Sequence, residues 1–105
     1  MEKITSIEQF EQVKQGENIV FEFTANWCPD CRFLYMFFSE VIEENKDFTF
    51  YKVDRDEFID LCGELDIYGI PSFVAFNKGE EIGRYVNKDR KTKEQVEEFL
   101  EGLRR

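Results

Sequence analysis

Two strand-like segments separated by one long amphipathic segment dominate the first half of the chain. Asn18 to Thr24 is dense in β-branched and aromatic residues, as in a strand covered on both faces, and Phe48 to Asp54 predicts a second strand. From Pro29 to about Asn45 a wide helical apolar face is predicted, made of Phe33, Leu34, Phe37, Phe38, Val41 and Ile42. A strand, a helix and a strand in this order form a right-handed unit with parallel strands in nearly all proteins. The chain is therefore constrained to a sheet built around a parallel pair.

The remaining segments predict more helices and an antiparallel pair. A first helix begins after a cap at Thr5 or Ser6 and ends at Gly16. A weaker helix is predicted at about Glu57–Leu65, and a strand at Ser72–Phe76. A tight turn at Asn77–Gly79 leads into a second strand at Glu81–Val86. A last helix begins with the capping box Thr92-x-x-Gln95. The order α, βαβ, α, ββα predicts an α/β protein with a mixed sheet and helices on both faces.

The composition supports one domain and excludes several kinds of chemistry. The 105 residues include 12 Phe and are 42% hydrophobic, so we expect one domain, residues 1–105, whose core needs no disulfide. Histidine is absent, which excludes Ser-His-Asp and Cys-His nucleophile systems and His-bearing zinc or haem sites. The formal net charge of −9 disfavours nucleic acids and anionic membranes as partners. Acid–base chemistry is then left to carboxylates, lysines, tyrosines or thiols.

The start of the chain has no features of an export signal. Met1 to Ile7 contains no apolar run and no small-residue cleavage site, and no stretch approaches 18 apolar residues. We therefore expect a cytoplasmic protein without a membrane-spanning segment. Because structural disulfides are rare in the cytoplasm, we expect the three cysteines to be catalytic, metal-binding or simply buried.

The segment Trp27-Cys28-Pro29-Asp30-Cys31 lies at the predicted junction of the first strand and the long helix. Two thiols separated by two residues at a helix start can close a small disulfide loop with little backbone motion. If Cys28 is the N-cap, its sulfur faces the unpaired N–H groups of the first turn and the positive end of the helix dipole, which favours the thiolate. Pro29 then occupies the first helical position, where its missing N–H costs nothing. The motif predicts a nucleophilic cysteine pair.

The chain resembles the thioredoxin family in motif, order and spacing. The resemblance rests on the Trp27–Cys31 pentapeptide and on four further segments, Val20-Phe21-Glu22-Phe23, Lys52-Val53-Asp54, Ile70-Pro71-Ser72 and Lys78-Gly79. It covers essentially the whole chain, and the pentapeptide is similar to that of thioredoxin-related proteins with the same five residues. It implies a thioredoxin fold, in which about four helices flank a central mixed sheet of four to five strands. The implied activity is thiol–disulfide oxidoreduction without a cofactor, acting to reduce disulfides of client proteins.

The resemblance also implies a role for each residue of the site. Cys28 is the attacking thiol, Cys31 the resolving thiol, and Pro71 a cis-proline beside them where the substrate backbone docks. Glu22 falls where thioredoxins carry a buried Asp, and Lys52 falls where they carry its Lys neighbour. A buried carboxylate has a raised pKa and can accept the proton of Cys31 through water. Further substrate contacts are expected from Trp27, Pro29, Asp30 and Ile70.

The partners that the resemblance implies are disulfide-containing client proteins and an NADPH-dependent thioredoxin reductase, and we expect a monomer.

Three departures from the family pattern bear on these partners and on the proton relay. Pro29-Asp30 replaces the usual Gly-Pro, and the Asp30 carboxylate suits the helix dipole but opposes a Cys28 thiolate. Val86-Asn87-Lys88 stands where thioredoxins usually have a Gly that lets substrate approach. Glu22 is one methylene longer than the usual Asp.

Several other interpretations are compatible with the residues. Cys28 and Cys31 could form half of a zinc site, but two more ligands are needed and only Cys62 remains. Cys62 itself is expected to be a buried bystander. Glu22 could lie on the solvated face of its strand, and Lys52 could be a plain surface lysine. The alternatives for the whole chain are a thioredoxin-fold binding protein, a specialised redox protein with a narrow client range, a glutathione-using relative and a secreted oxidase of the same fold, which would need an export signal.

Overall fold

The order of strands and helices follows the alternation that the sequence predicts, except that a short strand precedes the first helix and the long helix is divided in two. A computed structural model describes residues 1–105. The strands are β1 (Glu2–Lys3), β2 (Ile19–Thr24), β3 (Thr49–Asp54), β4 (Ser72–Asn77) and β5 (Glu80–Tyr85). The helices are α1 (Ile7–Val13), α2 (Pro29–Tyr35), α3 (Phe38–Glu44), α4 (Ile59–Glu64) and α5 (Lys93–Leu103). None of these helices has the length and apolarity that a bilayer crossing requires.

The sheet is mixed and has five strands in the order β1-β3-β2-β4-β5. β2 pairs with β3 in parallel, as the strand–helix–strand unit predicts, and β1 extends the parallel part along the other edge of β3. β4 pairs antiparallel with both β2 and β5. Lys78 and Gly79, which join β4 to β5, both have positive φ, of 53° and 88°, as a tight hairpin turn requires. The mixed sheet predicted from the sequence is confirmed.

The two faces of the sheet are covered by different helices, because side chains along β2 alternate between them. Phe21 and Phe23 pack in one cluster with residues of α1 and α4. Val20 packs in the other cluster with residues of α2, α3 and α5. All six residues of β2 are buried, so the prediction of a strand covered on both faces is confirmed. Glu22 therefore projects into the interior beneath α2.

The long helix predicted from Pro29 to about Asn45 is divided into α2 and α3, so the single-helix prediction is wrong. Met36 N–H donates to Phe33 O at 3.1 Å and Phe37 N–H donates to Leu34 O at 3.2 Å, which are the tighter bonds of a 3₁₀ turn. Neither proline nor glycine marks the break. The helical apolar periodicity continues across the break, with Leu34, Phe38 and Val41 all buried, which explains why the pattern indicates one helix.

Two loops meet at the edge of the sheet where β2 ends. Gly69, in the loop before β4, lies so close to the loop after β5 that a β-carbon on it would lie 2.5 Å from Lys88 N and 2.6 Å from the Asn87 carbonyl carbon. Ser72 Oγ lies within hydrogen-bond distance of the carbonyl oxygens of Gly69 and Asn87. Because these neighbours are backbone atoms, only glycine allows the two loops to approach so closely.

We expect Gly69→Ala to destabilise the protein by about 1–3 kcal/mol, because the added methyl group meets backbone atoms that cannot move aside. Gly63→Ala is the matched control, since Gly63 lies in α4 and has nothing within 4 Å of a β-carbon. That substitution should stabilise the protein by about 0.5–1 kcal/mol through its higher helix propensity. Urea denaturation measures both free energies of unfolding. Equal effects of the two substitutions would contradict the close approach at Gly69.

Candidate active site

The sulfur of Cys28 caps the first turn of α2. Cys28 has extended backbone angles at the N-cap position, and Pro29 is at the first helical position, as the motif predicts. The Cys31 backbone N–H donates to Cys28 Sγ at 3.2 Å. Both cysteines are free thiols. A negative charge on Cys28 Sγ would thus accept a hydrogen bond and face the positive end of the helix dipole.

The two thiols differ in how solvent reaches them. Cys31 is 0% exposed, whereas Cys28 is 5% exposed and lines a cleft of about 310 Å³ together with Trp27, Pro29, Asp30 and Ile70. Cys28 Sγ also lies 3.9 Å from the Ile70 carbonyl oxygen. A larger cleft of about 500 Å³, beside Met1 and Phe48, contains no cysteine, so size alone does not identify the site. Cys28 is the thiol that an incoming disulfide can meet first.

The loop before β4 forms one wall of this cleft. The peptide bond between Ile70 and Pro71 is cis, as the resemblance implies, and Pro71 is buried. Ile70 packs against the small cluster of Ala25, Cys28 and Cys31. The structure therefore brings Ile70 and the redox motif together, although 42 residues separate Cys28 from Ile70 in the chain.

Trp27 lies on the surface beside Cys28 and is held by a residue that follows β3. Its side chain is 58% exposed, and its indole N–H donates to Asp56 Oδ2 at 2.7 Å. Asp56 also pairs with Arg55 at 3.2 Å, and the Arg55 guanidinium lies 6.0 Å from the centre of the Trp27 ring. The indole thus stands at the rim of the cleft in an oriented position. Nothing in the sequence pattern indicated this role of Asp56.

Glu22 is fully buried, which excludes the solvated-face interpretation. Its Oε1 accepts a hydrogen bond of 3.0 Å from the Tyr35 hydroxyl, while Oε2 has no hydrogen-bond partner. Burial raises the pKa of Glu22 to about 7, although the Tyr35 hydrogen bond and the charge of Lys52 lower it in part. The carboxyl group therefore titrates near neutral pH.

Lys52 lies next to Glu22 in the register of β2 and β3. It is half-buried, and its ammonium group lies 5.5 Å from the centre of the Tyr35 ring. It has no ion pair at bonding distance, but its charge favours the ionised form of Glu22. The structure thus places Lys52 beside the buried carboxyl group rather than on an open surface.

Thr24 is a site residue that the sequence interpretation missed. Its hydroxyl is buried and lacks a hydrogen bond of good geometry, and its polarity lowers the pKa of Glu22, Cys31 and Tyr35. Burial, together with the neighbouring Cys28 sulfur, raises the pKa of the Cys31 thiol. Thr24 therefore lies between the buried carboxyl group and the buried thiol. Its position two residues after Glu22 on one strand was the available signal.

Cys62 lies on the other side of the sheet. It packs with residues of the α1 and α4 face, and burial raises its pKa to about 11. It is therefore placed as a packed hydrophobic residue, and it does not join Cys28 and Cys31. No three acidic or cysteine side chains are arranged to hold a metal ion, so the zinc interpretation has no ligand set.

The loop between β5 and α5 contacts the redox motif through a side-chain pair that the sequence did not indicate. Arg90 Nε donates to Asp30 Oδ1 at 2.9 Å, and the Arg90 guanidinium lies 4.4 Å from the centre of the Phe33 ring. Lys91 in the same loop is fully buried. The run of four charged residues Lys88-Asp89-Arg90-Lys91 was visible in the sequence, but its partners were not.

Comparison with known protein sequences gives one family. The thioredoxin family model matches residues 2–102. The chain is 31% identical over 96 residues to "Thioredoxin-2, mitochondrial" of Schizosaccharomyces pombe, a match that covers 88% of this chain and 72% of that protein. It is 38% identical over 80 residues to "Thioredoxin H-type" of Fagopyrum esculentum, which covers 75% of this chain and 69% of that protein.

Comparison with solved structures gives the same fold. A crystal structure of thioredoxin from Trypanosoma brucei brucei aligns with a TM-score of 0.84 at 22% identity and covers 96% of this chain and 88% of that one. Malassezia sympodialis thioredoxin aligns with a TM-score of 0.78 at 29% identity and covers 98% of this chain and 89% of that one. Together with the dithiol at the start of α2, these matches show that the chain belongs to the thioredoxin family and is a thiol–disulfide oxidoreductase.

Proposed function

We propose that the Cys28 and Cys31 thiols reduce disulfides of client proteins in two exchange steps. In the first step the Cys28 thiolate attacks one sulfur of the client disulfide. That disulfide breaks, a mixed disulfide forms, and the other client sulfur leaves as a thiolate that takes up a proton. In the second step Cys31 loses its proton and attacks Cys28 Sγ. The client leaves as a dithiol, and the Cys28–Cys31 disulfide holds the two oxidising equivalents.

The observation that carries this proposal is the 3.2 Å hydrogen bond from the Cys31 N–H to Cys28 Sγ at the start of α2. It stabilises a thiolate on Cys28, which lines the cleft, while Cys31 is shielded from solvent. This difference in access supports the order of attack, in which Cys28 meets the client and Cys31 resolves the mixed disulfide.

Glu22 is proposed to be the base that accepts the Cys31 proton. The resolving thiol needs a base because burial raises its pKa, and an acid–base group works best when its own pKa lies near the operating pH. A pKa of about 7 for Glu22 meets that condition. Thr24, which lies between the two groups, or one water molecule would carry the proton. Lys52 is proposed to tune the carboxyl group through its charge.

The rim of the cleft is proposed to bind the client chain. Trp27, Pro29, Asp30 and Ile70 line the cleft around Cys28, and a cis peptide bond joins Ile70 to Pro71. An extended client segment docked there would present its disulfide to Cys28. Site contacts of this kind determine which disulfides are reduced.

The oxidised pair needs an external electron donor after each cycle, and we propose an NADPH-dependent thioredoxin reductase for that role.

One matched relative is named as a mitochondrial protein, so the family match does not select a compartment. We propose the cytoplasm, because Cys62 lies on the opposite face of the sheet from Cys28 and Cys31 and leaves no pair for a structural disulfide, as is usual in a reducing compartment. We also propose that residues 1–105 act as a monomer of one domain.

Cys28→Ser should abolish the reduction of insulin disulfides, because the hydroxyl that replaces the thiol is not a nucleophile at neutral pH. Cys62→Ser is the matched control and should retain activity, since Cys62 lies on the opposite face of the sheet. Turbidity of precipitating insulin chains measures both. Full activity of Cys28→Ser would contradict the nucleophile assignment. Retained binding of clients by a variant with serine at positions 28 and 31, without reduction, is what a binding protein would show.

Glu22→Gln should slow the resolution step by about 10²–10⁴-fold, which is the usual contribution of a positioned general base. The first attack by Cys28 should be much less affected, because Glu22 does not line the cleft. Stopped reactions analysed by mass spectrometry would show the mixed disulfide accumulating in the variant. Equal rates of resolution in the variant and the parent protein would exclude Glu22 as the base.

Glu22→Gln should also change how stability depends on pH. The pKa of Glu22 is about 7 in the folded protein against 4.5 in the unfolded chain, so folding favours the protonated form. Relative to the variant, the parent protein should therefore lose up to about 3 kcal/mol of stability as the pH rises from 4.5 through 7. Urea denaturation at several pH values measures the difference, with the exposed residue Glu64→Gln as control. A constant difference between parent and Glu22→Gln across this range would contradict the raised pKa.

A further inference from the structure

Positive charge without a carboxylate partner collects at the redox end of this acidic protein. Nine of the 14 Lys and Arg side chains pair with a carboxylate. The five that do not are Arg32, Lys52, Lys88, Lys91 and Arg105. Arg32 follows Cys31 directly, and Lys88 lines the cleft that contains Cys28. The unpaired cations are therefore concentrated around the thiols.

The acidic side chains around the cleft are already neutralised. Asp30 pairs with Arg90 at 2.9 Å. Asp56 pairs with Arg55 and accepts the Trp27 indole N–H. Among the charged residues that line the cleft, Lys88 alone has no ion-pair partner, so its positive charge is available to a client.

The loop that carries Lys88 is held in place by hydrogen bonds from a buried lysine. The ammonium group of the fully buried Lys91 donates to Asn87 O at 3.0 Å, Asn87 Oδ1 at 2.8 Å and Asp89 O at 2.7 Å. Asn87 O also lies 3.2 Å from Ser72 Oγ. On its other side the backbone of Lys88 rests against Gly69. The remaining acid of the loop, Asp89, has its charge near that of Lys91. The fold thus fixes the backbone of Lys88 beside the cleft.

We propose that Lys88, the cleft-lining cation without a carboxylate partner, makes the enzyme prefer client disulfides that are flanked by Asp or Glu. This inference rests on the proposed function, because it assigns the substrate class of the Cys28 site. Lys88 would contact the acidic residue of the client, because Arg55 and Arg90 are each paired with a carboxylate of this chain. Because Lys88 and Cys28 line the same cleft, a carboxylate next to the client cysteine would approach Lys88 when the client disulfide meets Cys28.

The net charge of −9 opposes any general attraction of acidic clients, so the preference has to be local. At an ionic strength of about 0.15 M, charges more than about 8 Å apart are largely screened. The repulsion from distant carboxylates therefore fades, while a contact with Lys88 at the cleft persists. Complementary charge of this kind contributes more to selectivity than to affinity.

The test uses symmetrical disulfides of three short peptides that differ only in the residues flanking cysteine, which are Glu, Gln or Lys. Rates with the reduced protein are measured by chromatography and divided by the rates with dithiothreitol, which corrects for the reactivity of each disulfide. At about 0.15 M salt the Glu peptide should react about three- to fivefold faster than the Gln peptide, and the Lys peptide more slowly.

Lys88→Glu should reverse this order of peptides. Lys46→Glu is the matched control, because it makes the same change in net charge at a side chain that is 72% exposed and pairs only with Glu43. Lys46 precedes β3, at the end of the sheet opposite the thiols, and its substitution should leave the order unchanged.

Equal normalised rates for the three peptides, or an unchanged order in Lys88→Glu, would overturn the proposal. The same reversal in Lys46→Glu would overturn it too, because the total charge would then be the cause. Failure of the proposed function is distinguishable, since none of the three peptides would then be reduced. Melting curves confirm that both variants are folded.

Discussion

Burial of β2 on both faces is the constraint on which the rest of the site depends. Side chains along a strand alternate between its two faces, so every second residue of β2 lies on the face beneath α2. In this chain those residues include Glu22 and Thr24. A carboxylate taken out of water keeps its proton to a higher pH, which is why Glu22 is proposed as a base for neutral pH. The carboxyl end of the same strand leads into Cys28, so one element positions both the proposed base and the proposed nucleophile.

Patterns within one segment were predictable from the sequence because their causes are local. The parallel pair, the capping box at Thr92 and the cysteine at the start of α2 follow from residue spacing and from the chemistry of a helix end, and all three are confirmed. The break after Tyr35 was not predictable, since it disturbs the backbone without disturbing the apolar periodicity. The two-residue strand β1 is too short to give any pattern.

Contacts between distant segments could not be predicted from the sequence, for a different reason. Asp30 and Arg90 are 60 residues apart, and Trp27 and Asp56 are 29 apart, so no periodicity connects either pair. The family resemblance placed Glu22, Lys52 and Pro71 near the thiols, but it holds no information about residues in which this chain departs from the pattern. The loop after β5 is one such departure, and its contact with Gly69 depends on the backbone of both loops.

The pair of Asp30 and Arg90 bears on how a carboxylate can lie inside the redox motif beside the proposed nucleophile. An isolated negative charge at Asp30 would oppose a thiolate at Cys28, while an adjacent positive charge cancels most of that field at a distance. Both side chains are partly exposed, at 33% for Asp30 and 53% for Arg90, so the pair adds little to folding stability. Its consequence is electrostatic. The hydrogen bond from the Cys31 N–H and the dipole of α2 then remain the main influences on the Cys28 sulfur.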